Sequence, residues 1–241
     1  RLRKARDVKQ GMMQELLTKG IGRDGNPRTE FKDSPVGLIP KGWGVGALSS
    51  ICDLQVGYAF KSDWFVDDGV KLLRGDNVGF GDSTWERIQY LSHEATEKYS
   101  PYLLQEGDVV IGMDRTFTKS GVKITKITAS DIPCLLVQRV GRFIPKNCSS
   151  KFIWQLVRSN QFLDSLKSKE KGMDIPHLSK TEILEPAIPI PSFDEQEKIS
   201  EILESIDDRI DSKMAKMDLM FFLKKSLMQD LVTGKVRVHR A

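Results

Sequence analysis

The stretch SFDEQEKISEILESIDDRIDSKMAKMDLMFFLKKSLMQDL, residues 192–231, decides how this chain is built. Positions spaced alternately four and three apart along it are apolar at eight of ten places, and the other two are lysines. A seam with this spacing is typical of a helix that packs against another helix. The pattern therefore predicts one long helix over 192–233. Its apolar seam positions are Ile199, Leu203, Ile206, Ile210, Met217, Met220, Leu227 and Leu231.

The start and the charges of this predicted helix are also informative. Ser192 and Glu195 form the pattern of a capping box. Residues 194–211 hold eight acids and two bases, whereas residues 213–240 hold two acids and seven bases. An antiparallel partner of the same kind would set acid beside base at each end. The charges therefore favour an antiparallel coiled coil, and the alternative is a helix packed on its own domain.

Two nearly identical nonapeptides, MQELLTKGI at residues 13–21 and MQDLVTGKV at residues 228–236, stand 215 residues apart. Each copy follows a helical apolar pattern and contains a glycine that supplies a stop. The repeat predicts one full structural unit together with the end of a preceding unit. The predicted divisions are the end of a preceding helix at 1–20, a linker at 21–37, a globular domain at 38–191, the long helix at 192–233 and a C-terminal tail at 234–241.

The predicted globular domain begins with short apolar runs punctuated by glycine, such as GVKLLRGDNVGFG, EGDVVIGMD and IPCLLVQRVGRFI. Such runs predict the strands of a mostly antiparallel sheet. One helix is predicted over residues 149–169, with Phe152, Leu156, Phe162, Leu163 and Leu166 on its apolar face. We therefore predict an α+β fold, in which a globular and mostly β domain is followed by a long α-helix that forms an antiparallel coiled coil.

The bulk composition narrows the class of protein. A formal net charge of +4 and a pI near 8.9 permit a nucleic-acid partner. Cys52, Cys134 and Cys148 lack a C-x-x-C pairing, so we predict buried thiols in preference to disulfides or zinc ligands. No run approaches the ~18 apolar residues of a membrane-spanning helix, and the first residues have no apolar secretory core. We expect a soluble cytosolic protein with no membrane partner.

Five segments before the long helix are distinctive: SPVGLIPKGW, GYAFKSDWF, GVKLLRGDNVG, GDVVIGMDR and GMDIPHLSKTEI. Together they resemble the specificity subunits of type I restriction–modification systems, in which the first segment resembles the entry into a target recognition domain and the others resemble later landmarks. A sixth segment, PIPSFDEQEKISEIL, a proline-rich strand that leads into a long helix, is the most specific. Family members usually carry two recognition domains and two such helices. This chain therefore resembles the C-terminal half of a subunit, or a short subunit that pairs with itself.

The resemblance implies a non-catalytic subunit that binds double-stranded DNA. Its recognition domain would read half of a bipartite target. Its helices would space two such domains and would dock the methyltransferase subunits and, through them, the restriction subunit. We also expect self-association through the long helix.

Candidate DNA-contacting residues are polar or basic side chains in loops that follow strand-like runs, because such groups read base edges or bind phosphates. The segment MDRTFTKSG, residues 113–121, is the best placed, since two bases and three hydroxyls directly follow an apolar run. Asp76 and Asp114 are equally well explained as structural partners of nearby arginines. The candidates are Lys61, Ser62, Arg74, Asn77, Arg115, Thr116, Thr118, Lys119, Lys171 and His177.

The sequence gives little support for an enzyme. It contains no G-x-x-x-x-G-K-[ST] phosphate loop, and GFGD at 79–82 is too short to indicate a methyl-donor pocket. The three histidines stand apart from one another, and the acids of DEQEK at 194–198 are explained by the helix dipole. We therefore predict no catalytic residue, cofactor or metal. Two alternatives stay open: a coiled-coil adaptor that binds protein instead of DNA, and an enzyme centred in residues 38–191.

Overall fold

The computed structural model describes residues 2–22, 25, 28–119, 121–170 and 177–233. The helices are α1 (Leu2–Lys19), α2 (His93–Thr96), α3 (Ser150–Leu156), α4 (Asn160–Glu170), α5 (Lys180–Leu184) and α6 (Phe193–Val232). The strands are β1 (Phe31–Lys32), β2 (Ile39–Pro40), β3 (Gly44–Ala47), β4 (Cys52–Val56), β5 (Phe65–Val66), β6 (Val70–Leu73), β7 (Phe80–Gly81), β8 (Tyr90–Leu91), β9 (Val109–Gly112), β10 (Phe117–Thr118), β11 (Gly121–Val122), β12 (Ile124–Lys126), β13 (Cys134–Leu136), β14 (Val140–Pro145) and β15 (Ala187–Ile190).

Chain packing divides the molecule into two compact units. The first comprises residues 1–13 and 201–241, and the second comprises residues 14–200. No helix in the described part of the chain is long and apolar enough to cross a bilayer. Lys171 and the predicted tail at 234–241 lie outside the described residues.

The second unit is built on two main sheets. One has the strand order β4-β14-β9-β12-β7 and the other has the order β13-β6-β8-β5, with three further two-stranded pairs, β1-β2, β10-β11 and β15-β3. Most neighbouring strands are antiparallel, but β12 pairs with β7 and β13 pairs with β6 in parallel. The predicted α+β class is confirmed, with mixed sheets followed by one long helix.

Strands β6 and β13 lie between two hydrophobic clusters. Successive side chains of a strand point to opposite faces, so Leu72 and Leu135 enter one cluster while Leu73 and Leu136 enter the other. The first cluster also contains Phe60, Val70, Leu91, Tyr99 and Val137, and the second also contains Val78, Leu104, Val110, Ile127, Cys134 and Val140. Because both faces of these strands are buried, the loops that leave their ends start from a firmly packed base.

All three cysteines are buried and free, as predicted. Burial raises the pKa of the Cys52 and Cys134 thiols to about 12, and that of Cys148 to about 11. Thiols with such pKa values stay protonated near neutral pH and are poor nucleophiles. The cysteines are therefore structural residues that pack in the hydrophobic core.

The single helix predicted over 149–169 is wrong, because the chain breaks it between α3 and α4. Ser149 accepts a hydrogen bond from Phe152 N at 3.3 Å, and Ser159 accepts one from Phe162 N at 3.3 Å. Each serine caps the start of its own helix, which is the position that serine favours. The apolar period continues across the break, and for that reason the sequence pattern concealed it.

Glu195, near the start of α6, joins three segments of the second unit. Its buried carboxylate accepts hydrogen bonds from Ile21 N at 3.1 Å and from Trp43 Nε1 at 2.9 Å. Arg28 donates to it through Nε at 3.1 Å and Nη2 at 2.5 Å. Gly20, with φ of +67°, ends α1 beside this group, where a Cβ atom would lie 2.5 Å from Glu195 Oε1. Glu195 thus makes these bonds in place of the predicted capping bond.

The two copies of the repeated nonapeptide end α1 and α6 in the same way. Thr18 Oγ1 donates to Gln14 O at 2.6 Å, and its counterpart Thr233 Oγ1 donates to Gln229 O at 2.7 Å. Their burial differs, however. Met13 is 3% exposed, whereas its counterpart Met228 is 55% exposed. The same local structure is covered in one copy and bare in the other.

The apolar seam of α6 is divided in the same manner. Ile199, Leu203 and Ile210 are buried and Ile206 is half-buried, whereas Met217, Met220, Leu227 and Leu231 are 45–58% exposed. We call residues 217–232 the distal segment. Within the first unit, Lys9 of α1 forms an ion pair with Asp207 of α6. Pairing of α6 with another chain stays a prediction.

Candidate nucleic-acid interface

The loops that carry most of the predicted DNA contacts start from neighbouring strand ends. In the parallel pair of β6 and β13, Leu73 lies opposite Leu136, so Arg74 and Val137 leave the sheet side by side. Val137 N donates to Leu73 O at 3.2 Å, and Gln138 N donates to Tyr58 O at 2.9 Å. Backbone hydrogen bonds therefore hold together the loops that contain residues 57–64, 74–77 and 137–139.

A fourth loop, residues 113–119, is joined to the same group. Met113 N donates to Arg139 O at 2.8 Å, and Leu178 N donates to Met113 O at 2.8 Å. Lys123, which follows this loop, donates through Nζ to Gly75 O at 3.1 Å. We define the recognition face as residues 57–64, 74–77, 113–119 and 137–139 together with His177.

Most of the predicted contact residues are accessible on this face. Lys61 and Ser62 are exposed, and Lys61 Nζ lies 5.7 Å from the centre of the Trp64 ring. Arg115 is exposed, and Thr118 and Lys119 lie exposed at the tip of the β10-β11 hairpin. Arg74 is half-buried, with Nη2 3.6 Å from Asp76 Oδ2.

Two predicted contact residues turn inward instead. Asn77 is 1% exposed; its Oδ1 accepts from Arg74 N at 3.2 Å and its Nδ2 donates to Thr84 O at 2.9 Å. Thr116 is fully buried, and its hydroxyl donates to Gly112 O at 2.6 Å. Both side chains use their hydrogen bonds to shape loops. The prediction that Asn77 and Thr116 contact DNA directly is therefore corrected: they support the loops that carry the exposed residues.

Asp114 is the charged anchor of the recognition face. Its Oδ2 accepts a hydrogen bond from Arg139 Nη1 at 2.6 Å, and its Oδ1 lies 2.6 Å from His177 Nδ1. Partial burial acts to raise the pKa of this carboxyl, but the bonds from Arg139 and His177 outweigh it, so the pKa lies below its usual value. The carboxylate is therefore ionised near neutral pH and fixes two side chains from separate segments.

An aromatic cluster supports the loop at 57–64. Tyr58 lies 5.0 Å from Phe60, 4.7 Å from Tyr99 and 5.5 Å from Tyr102, measured between ring centres. Trp64 stacks on Tyr99 at 6.3 Å. Aromatic rings packed at these distances contribute stability in addition to that from burying their surface, so the loop that carries Lys61 and Ser62 is well supported.

Among the described residues, no three His, Cys, Asp or Glu side chains cluster as a metal site requires.

The comparison with protein families covers the face and much of α6. Residues 40–218 match the family described as the type I restriction modification DNA specificity domain. This chain belongs to that specificity family. The resemblance predicted from the sequence is thereby confirmed.

Individual relatives within the specificity family agree. The chain is 37% identical over 233 residues to the type I restriction enzyme MjaVIII specificity subunit of Methanocaldococcus jannaschii, a match that covers 96% of this chain and 54% of the relative. It is 33% identical over 163 residues to the EcoAI specificity subunit of Escherichia coli, covering 67% of this chain and 28% of the relative. The chain thus spans about half the length, or less, of these relatives.

Solved structures of specificity subunits share the fold. The HsdS subunit from Thermoanaerobacter tengcongensis matches with a TM-score of 0.55 and 18% identity, covering 88% of this chain and 45% of that chain. The type I S subunit from M. genitalium matches with a TM-score of 0.57 and 14% identity, covering 94% and 53%. Identities this low support a common fold alone.

Sequence reasoning missed one residue of this family member's recognition face, Arg139. It lies between β13 and β14 in a loop without glycine, asparagine or proline, so no turn signal marked it. A useful signal was present: a basic residue in a very short connection between two apolar runs. Its meeting with Asp114, 25 residues earlier, depends on the pairing of β14 with β9.

Proposed function

We propose that this chain is a non-catalytic, sequence-specific DNA-binding module that reads one half of a bipartite target. The observation that carries the proposal is the recognition face itself, on which exposed basic side chains from three loops accompany exposed hydroxyls. Arginine and lysine bind phosphates and the acceptor atoms of guanine, and hydroxyls serve either purpose. Membership of the DNA specificity family supports the same function.

The charges of the face suit an anionic partner. Lys61, Arg115, Lys119 and Arg139 are exposed, and two of the three aspartates on the face are paired with basic side chains. Asp76 lies beside Arg74 and Asp114 binds Arg139 and His177. Counterion release depends on such local clusters and not on the small net charge of the chain.

The decisive experiment is selection of bound duplexes from a random pool, with the methyltransferase subunit present, followed by titrations of the selected duplex across a salt series. We expect a preferred half-site and an affinity that falls steeply as salt rises, because released counterions oppose binding. An adaptor that binds only protein would enrich no duplex and would show no such slope. That outcome would contradict the proposal.

We further propose that α6 provides the docking surface for methyltransferase subunits, and that the restriction subunit joins through them. The distal segment supports this because Phe221, Phe222 and Val232 are 68–85% exposed. Exposed apolar patches of this kind mark interaction sites. Loss of methyltransferase capture after replacement of Phe221 and Phe222 by serine would support docking here, and unchanged capture would contradict it.

Self-association through the distal segment is the remaining part of the proposal. The 215-residue repeat supplies a register for it: Lys224 is the counterpart of Lys9, and Met228 is the counterpart of Met13. Lys9 pairs with Asp207 of its own chain. In the register proposed, Lys224 would pair with Asp207 of a second copy.

This register makes α1 a competitor of the second copy. Lys9 of each copy would have to leave Asp207 before Lys224 of another copy took its place. The charges support the exchange, since residues 201–211 hold five acids and one base, whereas residues 213–225 hold four bases and one acid. Bringing these charges together stabilises an antiparallel pair.

A further inference from the structure

Arg139 occupies a backbone conformation that arginine rarely adopts. It is the third residue of the turn at 137–140, in which Val140 N donates to Val137 O at 3.2 Å, and its φ is +64°. Positive φ at this turn position favours glycine or asparagine, because a Cβ atom crowds the backbone. Among the described residues, Arg115 is the only other non-glycine residue with positive φ, at +48°. Both flank Asp114, one by sequence and one by contact.

The side chain of Arg139 is held at one point and otherwise open. It is 64% exposed and donates to Asp114 Oδ2 through Nη1 at 2.6 Å. A guanidinium has five N–H donors, and among the described residues this one makes no other hydrogen bond. The edge formed by Nε and Nη2 is therefore available to a ligand.

Arg142, three residues later on β14, is the opposite case. Its side chain is 13% exposed, and its guanidinium donates to Asp108, Gln55, Leu103 O and Pro101 O. Both terminal nitrogens of Arg142 thus donate to groups within the fold. Arg139 gives one donor to Asp114, an arrangement that orients the guanidinium and leaves its other edge facing out.

We propose that Arg139 is a specificity-determining residue that reads a guanine through its Nε and Nη2 edge, and that Asp114 is the positioning residue that orients it. A bidentate pair with O6 and N7 is the commonest specific contact of arginine in the major groove. The strained backbone fits this role, since left-handed backbone at a non-glycine residue persists where the surrounding structure imposes it and often marks a functional site. The inference rests on the proposed DNA-binding function and names the residue that would carry its specificity.

The test uses the full chain with Arg139→Gly and Arg139→Lys. Glycine suits the positive φ, so Arg139→Gly should unfold at a temperature no lower than the unaltered chain. We expect its affinity for the selected duplex to fall ten- to a hundredfold, with discrimination lost at one base pair. Arg139→Lys keeps the charge but not the planar fork, so it should lose the same discrimination with a smaller loss of affinity. Lys146→Ala, at the other end of β14, is the control. It should change neither the affinity for the selected duplex nor the discrimination at any base pair.

Asp114→Asn tests the positioning role. It should weaken discrimination at the same base pair as Arg139→Gly, and in the double variant the two effects should not add, because they act through one side chain. If Arg139→Gly or Arg139→Lys discriminates among singly substituted duplexes as the unaltered chain does, the inference is overturned. If the unaltered chain prefers no duplex at all, the proposed function fails and the inference fails with it.

Discussion

The recognition face and the distal segment of α6 are both exposed, but they expose opposite chemistry. The face presents charged and hydroxyl groups on loops tied by backbone hydrogen bonds to strands buried on both sides. The distal segment presents large apolar side chains along one continuous helix, among them Met220, Leu227 and Leu231. The first surface is suited to placing single donor atoms, and the second is suited to burying area.

Because their chemistry differs, the two surfaces should respond differently to substitutions. A ligand read by individual hydrogen bonds is lost when one donor moves, even if the fold is intact. An association driven by buried apolar area weakens with each exposed or charged group that it must bury. Changes that affect one surface, both surfaces or neither therefore test whether the two act separately.

The largest expected effect is on the stability of the second unit, which carries the recognition face. Glu195→Ala removes the carboxylate that binds Arg28, Trp43 and the backbone of Ile21, and leaves the Arg28 guanidinium without this partner. Breaking a buried ion pair of this kind costs about 3 kcal/mol of unfolding free energy. Urea unfolding measures this loss of unfolding free energy. The control is Glu201→Ala, which replaces an exposed acid on the same helix and should change the unfolding free energy by less than about 0.5 kcal/mol. Equal stability of the two variants would show that the Glu195 cluster is dispensable.

The second effect separates the surfaces. Leu227→Asp would place a carboxylate in the proposed helix interface, at a cost of about 2–3 kcal/mol, equivalent to a dissociation constant raised about 30- to 150-fold. Ser226→Asp adds the same charge one residue away, off the seam, and should change self-association little. Sedimentation equilibrium gives both constants, and DNA discrimination should be unaltered in each variant. A fully monomeric unaltered chain at high concentration would refute pairing.

The third effect compares the two copies of the repeat. Lys224→Glu should weaken self-association about fivefold, because it would face Asp207 of the second copy with like charge, a cost of about 1 kcal/mol. Lys9→Glu should strengthen self-association, since it loosens the internal competitor for the same aspartate. Both dissociation constants are measured in one sedimentation series. An increase for Lys224→Glu together with a decrease for Lys9→Glu would support the shared register. Equal signs would contradict the shared register.

The smallest effect contrasts two aspartates with lowered pKa values. Burial acts to raise the pKa of Asp131, but hydrogen bonds from Ser83, Trp85 and Thr128 outweigh it and lower the pKa. Because the folded pKa lies below the unfolded value of 3.8, this stabilisation is present above about pH 4 and is lost as pH falls through the folded pKa. Asp131→Asn should thus lower stability at pH 7 by about 1 kcal/mol and flatten its acid dependence. Asp114→Asn should chiefly affect DNA discrimination; a larger change in stability there than for Asp131→Asn would remove the distinction.

The sequence predicted those features that depend on local period or local chemistry. The length of α6 and its division into acidic and basic parts follow from residues near one another in the chain, and the structure confirms a helix to Val232. The stop at Gly20 is also local, since its φ is positive. Arg115 and Lys119 were predicted as DNA contacts because they follow an apolar run; both are exposed, and their contact with DNA stays a prediction.

Features that depend on tertiary contacts were not predictable. The break at Ser159 lies within an apolar pattern that continues on both sides. Asn77 and Thr116 were predicted to face DNA, because a polar residue beside a strand looks the same in sequence whether it points outward or completes a turn. Arg139 could be recognised as a candidate only from its hydrogen bond to Asp114. Which half of the α6 seam is buried likewise depends on tertiary contacts that no local pattern specifies.

The most direct test of the central claim, that the recognition face binds DNA, compares Lys119→Glu with Lys146→Glu. Both lysines are exposed, but Lys119 lies at the hairpin tip of the face, whereas Lys146 follows β14 at the end opposite Arg139, roughly 20 Å along the strand. Titration of the selected duplex across a salt series should show that Lys119→Glu lowers affinity and reduces the salt slope by about 0.9 for a lost phosphate contact, while Lys146→Glu changes neither. Equal effects of the two reversals, or a larger effect at Lys146, would contradict the account.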